Sequence, residues 1–287
     1  EDSNYRDQHM ALGMKQAETA VRWLAALHAY HWNSGSWADE KLWEQGGYWT
    51  LDKRHEDLAT MERDWDVVVA NWKDVYPDVF TDPRICQLGT RLRQSARNVS
   101  ERLAERWPEH RTLIHGDFKT ANLFFDGDAD AMVALDWQWC GGGLGVMDLQ
   151  YLLRTSCALE VLHNEEHLLR CYHTNLVASL TRFDKRPIAT AGQEHTPSCD
   201  QSQAAEAARG YITWEELQEQ YALACVDYGR FLVGGMWRQN TPETCARNQH
   251  SINQGMHKRC PDVFVWIVRQ LDAMLEALDR GPEPPAI

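Results

Sequence analysis

The chain has 287 residues, a hydrophobic fraction of 44% and a formal net charge of -13. That size supports one large core or two small ones, and that apolar content excludes disorder throughout. The acidic balance argues against a partner gripped through nucleic-acid phosphates, and no nucleic-acid motif or basic amphipathic helix stands out. It is weakly compatible with a cationic substrate.

The eight cysteines, at 86, 140, 157, 171, 199, 225, 245 and 260, include no Cys-x-x-Cys pair. Neither a zinc ribbon nor a dense disulfide framework is suggested, and reduced thiols in a cytoplasmic protein are expected. No apolar run approaches the roughly 20 residues needed to span a bilayer, so no membrane insertion is expected. The start, Glu1-Asp2-Ser3-Asn4, is polar and lacks an initiator Met, which fits a fragment or processed product.

Residues 1–9 read as a flexible N-terminus. Helical spacing runs over 10–31, where Met14, Ala17, Val21, Leu24, Ala25, Leu27 and His28 form one stripe. Asn33-Ser34-Gly35-Ser36 breaks it, and a Trp-rich loop with Trp37, Trp43 and Trp49 follows. Helical patterns resume over about 55–74 and 83–106, the second after Asp82 as N-cap with Pro83 at the first helical position. The period then changes. Thr112-Leu113-Ile114, Leu123-Phe124-Phe125 and Met132-Val133-Ala134-Leu135 read as short strands, the last two joined by the turn Asp126-Gly127-Asp128. Trp139 falls in a loop, and Trp139-Cys140-Gly141-Gly142-Gly143 directly follows the Asp136-Trp137-Gln138 run. Helices follow at about 146–158 and 163–182. Residues 184–210 read as a long loop, two amphipathic helices (about 214–232 and 263–278) close the chain, and 281–287 is a tail. No internal repeat and no second domain boundary interrupts 10–280.

The chemistry concentrates on the small island of strands. His115-Gly116-Asp117-Phe118-Lys119-Thr120-Ala121-Asn122 lies between two apolar strands, and a third ends in Asp136-Trp137-Gln138. An Asp, an Asn five residues later and a second Asp at a strand end are what phosphoryl transfer from a nucleotide to a hydroxyl requires. Taken alone, each residue has a bland reading as a turn or surface residue; the spacing and strand context carry the signal.

At these residues the chain resembles the aminoglycoside phosphotransferase and choline kinase superfamily, with its protein-kinase-like fold. Asp136-Trp137-Gln138 places it nearest the CHK kinase-like, or ecdysteroid-kinase-like, branch; choline kinases and antibiotic kinases more often carry Glu where Gln138 stands. The resemblance is strong over 113–152, with the catalytic loop at 113–125 and the metal strand at 132–138, and looser over the rest of 10–280. It implies an α+β, mainly α, protein-kinase-like C-terminal lobe with a small β island. Asp117 would be the catalytic base, worth about 10²- to 10⁴-fold in rate. Asn122 and Asp136 would be Mg2+ ligands and would thereby hold ATP, the co-substrate. Lys119 would contact the transferring phosphate, with a solvated surface Lys as the alternative. His115 and Gly116 would support the loop, and Asp148 would brace it through backbone N–H groups or serve as a helix N-cap. The acceptor would be a small hydroxylated molecule, cationic or sterol-like; Trp37, Trp43, Trp49 and Trp139 fall in loops where they could receive it, although core packing is the favoured reading for any one of them.

No Gly-x-Gly-x-x-Gly precedes residue 115, and the nearest strand-Lys imitation, Val67-Val68-Val69-Ala70-Asn71-Trp72-Lys73, lies inside a helical pattern. The N-terminal β lobe that covers the nucleotide is therefore expected to be missing from the chain. That leaves a pseudokinase or binding module as the main alternative to a kinase, and a metal-dependent hydrolase as a third. His163, His167 and Cys171 share a helix face that could bind zinc, although fortuitous spacing is the simpler reading.

Overall fold

The computed structural model describes residues 5–39, 41–183, 185 and 210–280. Apart from Lys185 and Gly210, the expected 184–210 loop lies outside the described residues, as does the 281–287 tail.

The structure is mainly helical. Helices α1 (Met14–Tyr30), α2 (Ser36–Asp39), α3 (Met61–Trp72), α4 (Pro77–Phe80), α5 (Pro83–Cys86) and α6 (Leu88–Glu105) precede the strands. Helices α7 (Val146–Ser156), α8 (Leu159–Leu162), α9 (Glu165–Arg182), α10 (Trp214–Phe231), α11 (Pro242–Asn248) and α12 (Pro261–Arg280) follow them. The stripe read in the first helix is the face that α1 buries, through Ala17, Val21, Leu24, Ala25 and His28, and α1 packs along α9. Asp82 caps α5 as expected, its carboxylate accepting the Arg84 N–H with Pro83 next in line. The expected 83–106 helix is broken at Gln87 into α5 and α6. The expected 55–74 helix starts as a 3-10 turn over His55–Ala59 before α3. Val67–Trp72 is helical, so it supplies no strand Lys. Among the described residues no helix is long and apolar enough to cross a membrane.

Two antiparallel strand pairs form the β island. β2 (Leu123–Phe125) and β3 (Met132–Ala134) make the expected hairpin. Its turn is longer than Asp126–Asp128: the Asp126 carboxylate accepts the N–H groups of Asp130 and Ala131, and Ala129 takes a positive φ. β1 (Arg111–Ile114) pairs with β4 (Gly141–Leu144), a strand that the sequence pattern did not indicate. Three glycines have poor strand propensity, and tertiary crowding reverses that preference. A Cβ on Gly141 would lie 2.2 Å from the Trp43 carbonyl oxygen, one on Gly142 2.6 Å from Trp37, and one on Gly143 2.7 Å from Ile114. The glycines let β4 fit between β1 and the Trp43–Gly47 segment, whose Trp43 and Gly46 N–H groups donate to Cys140 and Gly142. Trp37, read as a loop residue, belongs to α2 and is buried.

Residues 5–9, the lead-in expected to be flexible, are hydrogen-bonded to the hairpin: Asp7 exchanges backbone hydrogen bonds with Phe125, and Thr120 Oγ1 donates to the His9 carbonyl.

Candidate active site

The loop between β1 and β2 is held from below by α7, whose eleven residues are all buried. Asp148, in its first turn, does not cap its own helix. Its Oδ2 accepts the His115 N–H at 2.6 Å and its Oδ1 the Gly116 N–H at 2.9 Å. Both backbone donors are buried, so leaving them unpaired would cost about 1–3 kcal/mol each. His28 on α1 stands behind, with Nε2 3.3 Å from Asp148 Oδ2 and Nδ1 2.8 Å from the Tyr172 hydroxyl. The carboxylate accepts from Nε2, and the Tyr172 hydroxyl pairs with Nδ1. At the far end of the loop, Ser156 Oγ accepts the Thr120 N–H at 2.8 Å.

Gly116 is required by geometry. Its φ is +79°, and a Cβ there would lie 2.2 Å from the Trp139 carbonyl oxygen and 2.6 Å from the Gly47 nitrogen. His115 links the loop to the end of β3: the Asp117 N–H donates to its Nδ1 at 3.2 Å, so Nε2 carries the proton and donates to the Leu135 carbonyl at 3.0 Å. Burial pushes the imidazole below its ordinary range, which keeps that neutral tautomer in place.

Asp117 is 3% exposed and is gripped from three directions. Lys119 Nζ lies 2.8 Å from Oδ2 and 3.1 Å from Oδ1. Asn122 Nδ2 donates to Oδ2 at 3.1 Å and to the Asp117 carbonyl at 2.9 Å. The Tyr151 hydroxyl donates to Oδ1 at 2.7 Å. Lys119 is therefore paired with Asp117 rather than solvated at large. The Leu135 N–H donates to the Asn122 carbonyl at 2.9 Å, so the residue before Asp136 lies against Asn122. Asp136 itself is exposed and sits at φ +65°, a conformation that non-glycine residues adopt rarely and mostly at special sites. Its carboxylate receives a long contact from Gln138 Nε2, 3.5 Å.

Residues 3–184 match the model of the ecdysteroid kinase-like family. The chain belongs to that family. The match agrees with the resemblance read from His115–Asn122 and Asp136–Gln138. No curated protein matches the chain significantly. Among solved structures, the chain is similar to a protein of Ralstonia eutropha JMP134 named provisionally as an aminoglycoside phosphotransferase. The alignment covers 99% of this chain and 72% of that one, at 13% identity and a TM-score of 0.41.

In this ecdysteroid kinase-like chain, His115, Gly116, Asp117, Lys119, Asn122 and Asp148 thus come together in one hydrogen-bonded cluster, and Asp136 adjoins it through the backbone. Sequence reasoning missed Tyr151, His28, Tyr48 and Ser156. Tyr151 lies one turn beyond Asp148 on the same helix, and that i, i+3 relation was the available signal. The His163–Cys171 face holds no metal cluster: among the described residues no group of three or more His, Cys, Asp or Glu side chains is arranged to hold an ion. His163 is exposed, His167 Nε2 lies 2.8 Å from Glu18 Oε1, and Cys171 packs on the core.

The Trp-rich segment forms the next wall. Gly47 donates its N–H to the Trp139 carbonyl, and Trp43 stacks on Trp139 with centroids 5.5 Å apart. On its other side the segment lines a cavity of about 460 Å³, bounded by Trp37, Glu44, Gln45, Asp52, Met147 and Asp227 among others. Buried Asp227 is paired with Arg230 at 3.0 Å, and Arg111 lies over Trp37 at 5.7 Å.

Proposed function

We propose that the chain carries the catalytic and metal-binding half of an ATP-dependent small-molecule kinase, the half that forms a protein-kinase-like C-terminal lobe. The observation that carries this reading is the clustering of Asp117, Lys119 and Asn122 on one braced loop, with Asp136 at the end of the adjoining strand.

The residues fit a magnesium ion of the kind that nucleotide phosphates complete. Asn122 and Asp136 offer hard oxygen donors, and Mg2+ commonly takes one or two protein ligands, with phosphate and water filling the remainder. The Asn122 amide oxygen has no hydrogen-bond donor among the described residues, because both contacts of this side chain run through Nδ2. The left-handed backbone at Asp136 is the sort of local strain that recurs at ligand sites. When bound, the ion would offset charge on the phosphates.

The protein's own groups then have defined tasks. Asp117 receives the acceptor proton as the acceptor O–H bond breaks. The acceptor oxygen forms its bond to the γ-phosphorus while the bond to the leaving ADP oxygen breaks. Lys119, freed from Asp117, faces the transferring phosphoryl group. Neutral His115 holds the loop to the metal-bearing strand without adding charge. The cavity beside Gln45–Thr50 has the size of a small-molecule site. Trp37, Leu103 and Met147 suit an apolar body, and Glu44 and Asp52 offset the one cationic lining residue, Arg111, and suit a cationic substituent, which makes an amine-bearing alcohol the favoured acceptor class.

The test is Mg2+-dependent ATP consumption over a panel of hydroxylated acceptors, including amino alcohols and sterols. Turnover is expected for at least one acceptor, and both Asp117→Ala and Asp136→Ala should abolish it. Undiminished turnover in either variant would refute the site assignment. Phosphoester cleavage without ATP would favour a hydrolase instead.

A further inference from the structure

We infer that Tyr151 is a positioning residue for Asp117, itself held by Tyr48, and that the pair leaves Oδ2 as the carboxylate oxygen open to the acceptor hydroxyl. The inference rests on the kinase reading of Asp117 and assigns roles that the motif does not contain.

The partners of Asp117 are of two kinds. Lys119 and Asn122 come from within the loop, two and five residues away, and both have tasks toward a nucleotide. Tyr151 comes from α7, outside the loop. Its hydroxyl, 2.7 Å from Oδ1, is the side-chain bond that ties the carboxylate to the core. Tyr151 is 1% exposed, lies flat against Trp49 with centroids 4.5 Å apart and planes 6° apart, and meets the Tyr228 ring at 5.2 Å. A buried ring stacked on one neighbour and in edge contact with another has no alternative rotamer without repacking the core. When Lys119 and Asn122 turn to other partners, Oδ1 stays occupied and Oδ2 is released.

The direction of the hydrogen bonds follows from proton counting. An ionised carboxylate only accepts, so the single Tyr151 proton points at Oδ1. The Tyr48 hydroxyl, 2.8 Å from that of Tyr151, must then donate to it. Burial keeps both phenols protonated, with Tyr48 pushed up to about 12 and Tyr151 well above its ordinary value. Such chains polarise one another, so the outer bond strengthens the inner one. Tyr48 belongs to the Trp-rich segment, so that segment and the candidate base are joined by one hydrogen-bonded line.

The experiment uses the full chain and the variants Tyr151→Phe, Tyr48→Phe and the double variant. Phenylalanine preserves the ring packing, so all three should fold. With an acceptor that turns over, Tyr151→Phe should lower kcat by about 10- to 100-fold, the range that a small misplacement of a reacting group commands. The KM values for ATP and acceptor should stay within about twofold, because ground-state binding is untouched. Tyr48→Phe should cause a smaller loss in kcat, and the double variant should be no worse than Tyr151→Phe. An unchanged kcat in Tyr151→Phe, a loss confined to KM, or multiplicative losses in the double variant would overturn the inference.

A second readout is independent of turnover. The Tyr151 hydroxyl proton, shielded by burial, should give an NMR resonance that shifts in Tyr48→Phe and again in Asp117→Asn. A resonance unmoved by both would overturn the positioning role even if the kinase reading stands. Full turnover in Asp117→Ala would instead sink the kinase reading, with the hydroxyl resonance still reporting the Tyr48–Tyr151–Asp117 line.

Discussion

Replacing Asp148 by Asn tests how the His115–Asn122 loop is held. The side chain is fully buried and accepts two backbone N–H groups, one on each oxygen, at 2.6 and 2.9 Å. Asparagine keeps one acceptor and presents an NH2 group where the other stood. One buried N–H therefore loses its partner, at about 1–3 kcal/mol, and the surviving bond loses its charge assistance, at about 1 kcal/mol. Removing a buried carboxylate recovers part of its desolvation cost. A net loss of about 2–3 kcal/mol follows, which for a chain of this length lowers Tm by roughly 5 °C. Calorimetry measures the shift, and amide hydrogen exchange locates it: His115 and Gly116 should lose protection while the α1–α9 packing keeps its own. A Tm within about one degree of the parent, with both amides still protected, would refute the bracing role.

Gly116→Ala should be costly although it adds a single methyl group. The left-handed backbone costs about 1–2 kcal/mol for any L side chain, and the Cβ contact 2.2 Å from the Trp139 carbonyl adds about 1–3 kcal/mol of overpacking; a denaturant midpoint equal to the parent's would contradict the geometry. Acid should unfold the chain through buried histidines. His110, His115 and His257 are pushed below their ordinary range by burial, His257 to about 3, and His110 and His257 each accept a side-chain hydrogen bond at Nδ1, from Gln220 and Trp237. A depressed folded-state pKa gives stability that is fully present above about 6.5 and is lost as pH falls towards the folded value. For His257 alone the loss at pH 4 is about 3 kcal/mol. His257→Gln should flatten the decline in urea-measured stability between pH 6.5 and 4, and an unchanged slope would count against it.

What the sequence disclosed is what short separations encode. The Asp82 cap reaches two residues, and Asp117 and Asn122 lie five apart on one loop, so their relation survives without knowledge of the fold. The spacing of α1 announces its buried face because each turn repeats the same choice. Tyr151 reaches Asp117 across 34 residues and Tyr48 reaches Tyr151 across 103, separations at which local spacing does not record who meets whom. β4 failed to register for a related reason. Local propensity speaks against three consecutive glycines in a strand, and the crowding by Trp43, Trp37 and Ile114 that demands them comes from elsewhere in the chain. Core packing, the favoured reading for any one Trp, holds for Trp49, which stacks on Tyr151, and for Trp37, which packs on β4 while also facing the cavity.

The rigidity of the loop is borrowed from α7. Asp148, Tyr151 and Ser156 hold it at its start, its acidic centre and its end. On another side of the same helix, fully buried Arg154 bonds Glu165 at 3.0 Å and the Tyr221 hydroxyl at 2.7 Å, which ties α7 to α9 and α10. A buried guanidinium is stable only with such partners, so it opposes any slide of α7 that would break them. The loop backbone and Oδ1 of Asp117 therefore inherit the position of the core. Lys119 and Asn122, which answer to no α7 side chain through their own side chains, remain the groups able to re-orient. On the proposed kinase reading, such a site would change partners at Oδ2 while its geometry at Oδ1 is conserved, the division that a base receiving a proton from a variable acceptor needs.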